Sequence, residues 1–119
     1  MLKVYTLSNC DTCRKAVKWL RAHEVAFEER AIRETPPSVA ELRKVLKAQG
    51  GRLLKLFNVA GGEYRAQKLG EKLPTLSEAD ALALLAGDGS LVKRPFAVGD
   101  GVGLVGFVEA DWKTALAKA

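Results

Sequence analysis

With 119 residues, the chain has the length of one domain able to bury a modest core. Its composition, 48% hydrophobic and 28% charged, excludes a disordered chain, and no stretch reads as a membrane span or a secretory signal. The net charge of +5 comes from 19 basic residues scattered among 14 acidic ones. It permits contact with nucleic acid or an acidic protein, but without a dense basic run it reads first as a solvated surface, and neither direct nucleic-acid binding nor a membrane partner is expected. The expected location is the cytoplasm, where thiols are kept reduced.

Residues 2–7 form an apolar run ended by Ser8 and Asn9, which predicts a buried strand. A helix over 11 to about 22 follows, with Ala16, Trp19, Leu20 and His23 along an inner face and Arg14, Lys15, Lys18 and Arg21 along the outer one. Residues 25–32 return as a strand, giving a βαβ unit whose strands are parallel and whose crossover is right-handed. The run TPPSVAEL ends the extended segment, and Ser38 with Glu41 forms a capping box for a helix to about residue 49, stopped by Gly50 and Gly51.

Apolar clusters broken by glycines over 52–74 predict short helical turns. Ser77 caps a helix that turns Ala81, Leu82, Leu84 and Leu85 to the core and ends at Gly87. The apolar runs 96–98 and 102–107, joined by Gly99, Asp100 and Gly101, signal a hairpin. Residues 109–119 place acids first and lysines last, as a helix dipole prefers. The order βαβ, helical block, ββα predicts an α/β fold of the thioredoxin-like, glutaredoxin-like kind. Its central mixed sheet and a helical insertion over about 38–86 make a single domain spanning 1–119.

The stretch SNCDTCRKA places both cysteines at the junction of the first strand and helix. Residues three apart on a helix are neighbours, so Cys10 at the cap and Cys13 one turn in can reach disulfide distance. A thiolate at Cys10 faces unpaired backbone N–H groups and the positive end of the helix dipole, which favour its ionised form. Thiol–disulfide exchange then makes Cys10 the attacking sulfur and Cys13 the resolving one. Two alternatives stay open. A zinc site would need four ligands where the chain offers two cysteines and His23, and two small cysteines can also be inert core residues.

His23 reads as a packed or capping residue, Trp19 and Trp112 as core, and GDGVG as a turn. Lys93 to Pro95 precedes a strand, where a proline can shape the approach of backbone to the redox centre. Arg94 offers a planar fork to a carboxylate or oxyanion, with a surface ion pair as the alternative.

Together YTLSNCDTCRKAVKWL, PPSVAEL and KRPF resemble the arsenate reductase and Spx superfamily over essentially the whole chain. The resemblance implies a thioredoxin-like fold with a helical insertion, Cys10 as nucleophile, Arg94 as the anion-facing arginine and Pro95 as a cis proline. It also matches Cys13 to the second cysteine of the Spx type, whose pair is a redox disulfide switch. Arsenate reductases of this kind surround the oxyanion with three arginines. Only Arg94 falls in register here, and Ala60 and Phe107 stand where the other two are expected, which argues against arsenate reduction. Spx proteins regulate transcription by binding the C-terminal domain of the RNA polymerase alpha subunit. The stretch over 56–78 looks more like the arsenate reductase-like branch, and some members of the wider group resemble glutathione-dependent thiol reductases.

The expectation is therefore a thiol–disulfide oxidoreductase with catalytic Cys10, Cys13 and Arg94. Asn9, Arg14, Arg94 and Pro95 line its substrate groove, glutathione or a protein thiol or disulfide serves as co-substrate, and no cofactor or metal is bound. A redox-sensing regulator that binds the polymerase alpha subunit is the alternative, followed by a glutaredoxin-dependent arsenate reductase.

Overall fold

The structure is a computed structural model in which residues 2–59 and 61–116 are described. β1 (Leu2–Thr6) lies between β2 (Phe27–Ala31), to which it is parallel, and β3 (Phe96–Gly99), to which it is antiparallel. β3 turns back through Asp100 and Gly101 into β4 (Val102–Val105), so the sheet order is β2-β1-β3-β4. Gly101 has φ +71°, a left-handed conformation that a tight hairpin needs and that glycine adopts without strain.

Alternation along β1 sends Val4 to one side of the sheet and Tyr5 to the other. Val4 packs with Ala16 and Leu20 of α1 (Asp11–Ala22) and with Trp112 of α6 (Glu109–Leu116). Tyr5 packs with Leu42 and Val45 of α2 (Val39–Ala48) and Leu82 of α5 (Glu78–Gly87). Helices thus cover both faces of a mixed sheet, which is the expected thioredoxin-like architecture. Between α2 and α5 the chain runs through a 3-10 turn (Leu53–Leu56), α3 (Gly62–Ala66), α4 (Leu69–Lys72) and a second 3-10 turn (Leu73–Thr75). Among the described residues, no helix is long and apolar enough to cross a membrane.

Both predicted caps are present. Ser38 accepts from the Glu41 N–H while Glu41 accepts from the Ser38 N–H, and Ser77 accepts from the Asp80 N–H. The inner face of α1 differs from the expected one. Cys13, Ala16, Val17 and Leu20 are buried, Trp19 is half-buried, and His23 is exposed. The cause is position: His23 is the C-cap, beyond the stripe that meets the sheet, and the next residue, Glu24, has φ +55°. His23 instead stacks on Trp19 at 4.1 Å and donates from Nδ1 to the Trp19 carbonyl oxygen at 2.9 Å.

β2 is shorter than predicted because the Val25 N–H bonds back to the Leu20 carbonyl, closing the helix end rather than joining the ladder. β4 stops at Val105 because Gly106, at φ +65°, turns the chain toward α6. The expected helix over 109–119 is seen to Leu116, and residues 117–119 lie outside the described residues.

Candidate active site

Cys10 closes the loop that leaves β1. Its N–H donates to the Leu7 carbonyl at 3.1 Å, and its own carbonyl accepts from the Arg14 N–H at 3.1 Å. It is therefore the N-cap of α1, in extended backbone, and its sulfur occupies the place a capping serine or aspartate oxygen would take. The Cys13 backbone N–H donates to that sulfur at 3.3 Å. Cys10 is half-buried and Cys13 is 2% exposed, and both are free thiols.

The two sulfurs sit in opposed electrostatic environments. Burial pushes the Cys10 thiol up, but hydrogen bonds from the Cys13 side chain and backbone outweigh it, helped by the charge and hydrogen bonding of Arg94. The net effect holds Cys10 below the ordinary cysteine range. Cys13 goes the other way, to about 12, first through burial and then through its hydrogen bond and repulsion with Cys10. One proton is thus shared toward Cys13, and the negative charge is directed to the more accessible sulfur.

Arg94 reaches this site by sheet register. Tyr5 pairs with Phe96 across the antiparallel β1 and β3, so the residues just before β3 lie beside the end of β1, where the Cys10 loop begins. The Arg94–Pro95 peptide bond is cis, and Pro95 is buried. The Nε of Arg94 is buried without a hydrogen-bond partner among the described residues, which leaves a donor available to an anionic group. The other expected groove residues lie on the rim. Asn9 is exposed in the turn before Cys10. Arg14 is exposed, paired with Asp11, and donates to the Ser8 carbonyl at 3.4 Å.

Phe107, expected at an arginine position of arsenate reductases, meets Trp112 edge-on at 5.3 Å and Trp19 at 6.2 Å. It belongs to an aromatic cluster on the α1 and α6 side and supplies no cation. Ala60 lies outside the described residues.

A cavity of about 320 Å³ beside Cys13 escaped the sequence reading. Arg14, Lys18 and Arg21 of α1 line it on one side, with Thr6 of β1 and Glu29 of β2 on the other. The one signal in the sequence was the 14, 18, 21 spacing, a single helical stripe. Thr6 and Glu29 meet only through the parallel register of β1 and β2, where Val4 faces Glu29.

The ArsC family profile matches residues 5–115. The chain belongs to the ArsC family. Its membership of the ArsC/Spx superfamily is seen again in relatives spanning nearly the whole ArsC-family chain. It is 44% identical over 112 residues to the uncharacterised protein YusI of Bacillus subtilis, covering 94% of this chain and 95% of YusI. It is 32% identical over 111 residues to the global transcriptional regulator Spx of Enterococcus faecalis, covering 93% of this chain and 83% of that one. The crystal structure of an ArsC-family-related protein from Bacteroides fragilis superposes with a TM-score of 0.89 at 38% identity, covering 96% of each chain.

Proposed function

We propose that this ArsC-family chain is a cytoplasmic thiol–disulfide oxidoreductase acting as one unit over residues 1–119. Cys10 is its nucleophile, Cys13 its resolving thiol and Arg94 the group that orients an anionic substrate. The observation that carries the reading is the opposed setting of the two sulfurs, with Cys10 lowered and Cys13 raised to about 12. The Cys10 thiolate attacks one sulfur of a substrate disulfide, forming a mixed disulfide and expelling the other sulfur as a thiolate. The negative charge on Cys10 is then gone. The two causes of the raised Cys13 value that depend on it, the hydrogen bond to the thiolate and its repulsion, go with it, while burial, the largest cause, remains.

Cys13 gives its proton to the departing thiolate or to water and attacks the Cys10 sulfur. A Cys10–Cys13 disulfide forms and the second substrate thiolate leaves. The pair has lost two electrons and the substrate disulfide has gained them. Two molecules of glutathione or a similar thiol restore the pair by the reverse sequence. Asn9, Arg14 and Pro95 form the rim that presents the substrate to Cys10.

The test is the reduction potential of the pair in glutathione redox buffers, with Cys13→Ser as the variant that cannot close the ring. A reversible two-electron transition in the wild type, with a stable mixed disulfide to glutathione in Cys13→Ser, is expected. A wild type without a transition would refute the reading.

The 32% identity to a protein named as a global transcriptional regulator favours a second reading, in which the disulfide state of the pair controls contact with the RNA polymerase alpha subunit. Capture of the alpha C-terminal domain by one redox state and not the other would favour it. Equal absence of capture in both states would remove it.

A further inference from the structure

We propose that the cavity beside Cys13 is a subsite for the peptide portion of the thiol substrate. Arg14, Lys18 and Arg21 receive its carboxylates and Glu29 receives its ammonium group. The inference rests on the thiol–disulfide reading and assigns residues outside the Cys10, Cys13 and Arg94 centre.

Three cations and one carboxylate line a cavity of about 320 Å³, within the size range of about 300–1,000 Å³ typical of small-molecule sites. Lys18 and Arg21 have no ion-pair partner among the described residues, and Arg14 is paired only with the exposed Asp11. On a solvated helix face such cations need no explanation. Here they border a concavity whose opposite wall carries an oriented carboxylate. Thr6, which is buried, donates from Oγ1 to Glu29 Oε2 at 2.7 Å. That bond holds an otherwise exposed edge-strand side chain in place.

The charges select the ligand. Cations exceed acids by two in the lining, so the ligand must be acidic, and a lone phosphate or sulfate would leave Glu29 facing like charge. A molecule with two carboxylates and one ammonium group matches the set. Arg14 and Arg21 are seven residues apart on α1, about 10 Å along the axis, which is the reach of an extended tripeptide. Cys13 lines the same cavity, and the Cys10 sulfur lies one helical turn away, so a ligand lying there carries its own sulfur to the redox pair. A short acidic peptide thiol, the chemistry glutathione presents, meets all these demands, whereas a neutral dithiol leaves the charges without partners.

The experiment uses the reduced full-length chain and two readouts. Calorimetry measures binding of S-methylglutathione, which cannot exchange. Single-turnover oxidation of the reduced chain, in which the Cys10 and Cys13 thiols themselves supply the two electrons, gives the ratio of kcat/KM for glutathione disulfide to that for the neutral bis(2-hydroxyethyl) disulfide. The double variant Lys18→Gln/Arg21→Gln is expected to bind S-methylglutathione roughly tenfold or more weakly, through a raised KM for glutathione disulfide with kcat little changed, and to lose the preference for it. Glu29→Gln is expected to weaken binding of S-methylglutathione but not of its N-acetyl derivative. Lys44→Gln/Lys47→Gln removes two charges from α2 and keeps wild-type binding and preference. Equal binding of S-methylglutathione by wild type and the α1 double variant, or none by wild type, overturns the subsite while the potential measurement still decides the redox reading. A wild type that binds S-methylglutathione through Lys18 and Arg21 but reduces neither disulfide sinks the redox reading and leaves the subsite standing.

Discussion

The Cys13 backbone N–H points at the Cys10 sulfur across 3.3 Å, so a single turn of α1 both caps the helix and favours a thiolate. The helix contribution is backbone and survives most substitutions. The contribution of Arg94 does not. Arg94→Ala should raise the Cys10 titration midpoint, because the arginine acts on the ionised form by charge and hydrogen bond. Thiolate absorbance in the ultraviolet gives the midpoint, and the iodoacetamide rate at neutral pH should fall with the thiolate fraction, by a smaller factor because a thiolate of higher pKa is the stronger nucleophile. A midpoint unmoved in Arg94→Ala would place the arginine's influence elsewhere.

Cys13 makes an opposite prediction at alkaline pH. In the folded chain its thiol holds its proton to about 12, against an ordinary value of 9.0. Above about pH 9 the unfolded chain releases this proton while the folded chain keeps it, so the folded state binds more protons and stability falls as pH rises. The contribution is complete below pH 9 and lost on the way to 12. Tyr5 is also raised, by burial first and then by Glu41, and adds a loss of the same sign. Urea unfolding of reduced wild type and Cys13→Ala across this range should therefore show a shallower alkaline decline in the variant, with the tyrosine part common to both. Parallel curves would mean that Cys13 is not buried as a neutral thiol.

Local chemistry was readable in the sequence and long-range register was not. Ser38 and Glu41 lie three residues apart, and so do Ser77 and Asp80, so each cap is complete within one helical turn. The hairpin around Asp100 and Gly101 is equally local. Cys10 and Cys13 stood out because one turn contains them both. Arg94 is 84 positions from Cys10, and only the family resemblance named it as a partner; its influence on the sulfur depends on the pairing of β1 with β3. Thr6 and Glu29 meet through the register of β1 with β2, so the carboxylate wall of the Cys13 cavity had no sequence signature. His23 misled because helical periodicity runs on past the point where the helix leaves the sheet.

Glu41 ties the first strand to α2. It accepts from the Tyr5 hydroxyl at 2.7 Å, from Lys3 Nζ at 3.3 Å and from the Ser38 N–H at 3.0 Å. Burial raises its carboxyl, but these hydrogen bonds, Tyr5 first, outweigh burial and hold it below the usual carboxylate value. Its contribution to stability is thus present above the unfolded carboxylate range and lost as pH falls through the lowered folded value. Glu41→Ala removes a capping box and strands a buried hydroxyl, at a cost of roughly 2–4 kcal/mol. Acid unfolding monitored by circular dichroism should show a variant already weakened at neutral pH and less sensitive to acid than wild type.

Gly89 sets the path by which the chain returns toward Arg94. It begins a 3-10 turn (Gly89–Leu91) directly against the end of β2, and a Cβ there would overlap the Ile32 carbonyl oxygen and lie 2.7 Å from its carbon. Ile32 is fully buried and its N–H is bonded to the Thr6 carbonyl, so its backbone has little room to yield. Gly89→Ala should cost roughly 3 kcal/mol or more, read as a lower urea midpoint at unchanged slope. Two positions earlier, a Cβ at Gly87 meets nothing within 4 Å at the end of α5, and Gly87→Ala should be neutral or up to about 1 kcal/mol stabilising. The pair separates a steric demand from glycine's general backbone cost. If the turn is displaced rather than unfolded, Arg94 moves with it, and the Cys10 midpoint of Gly89→Ala should rise as it does in Arg94→Ala. A stable Gly89→Ala with an unchanged Cys10 midpoint would show that the contact with Ile32 constrains neither the fold nor the site.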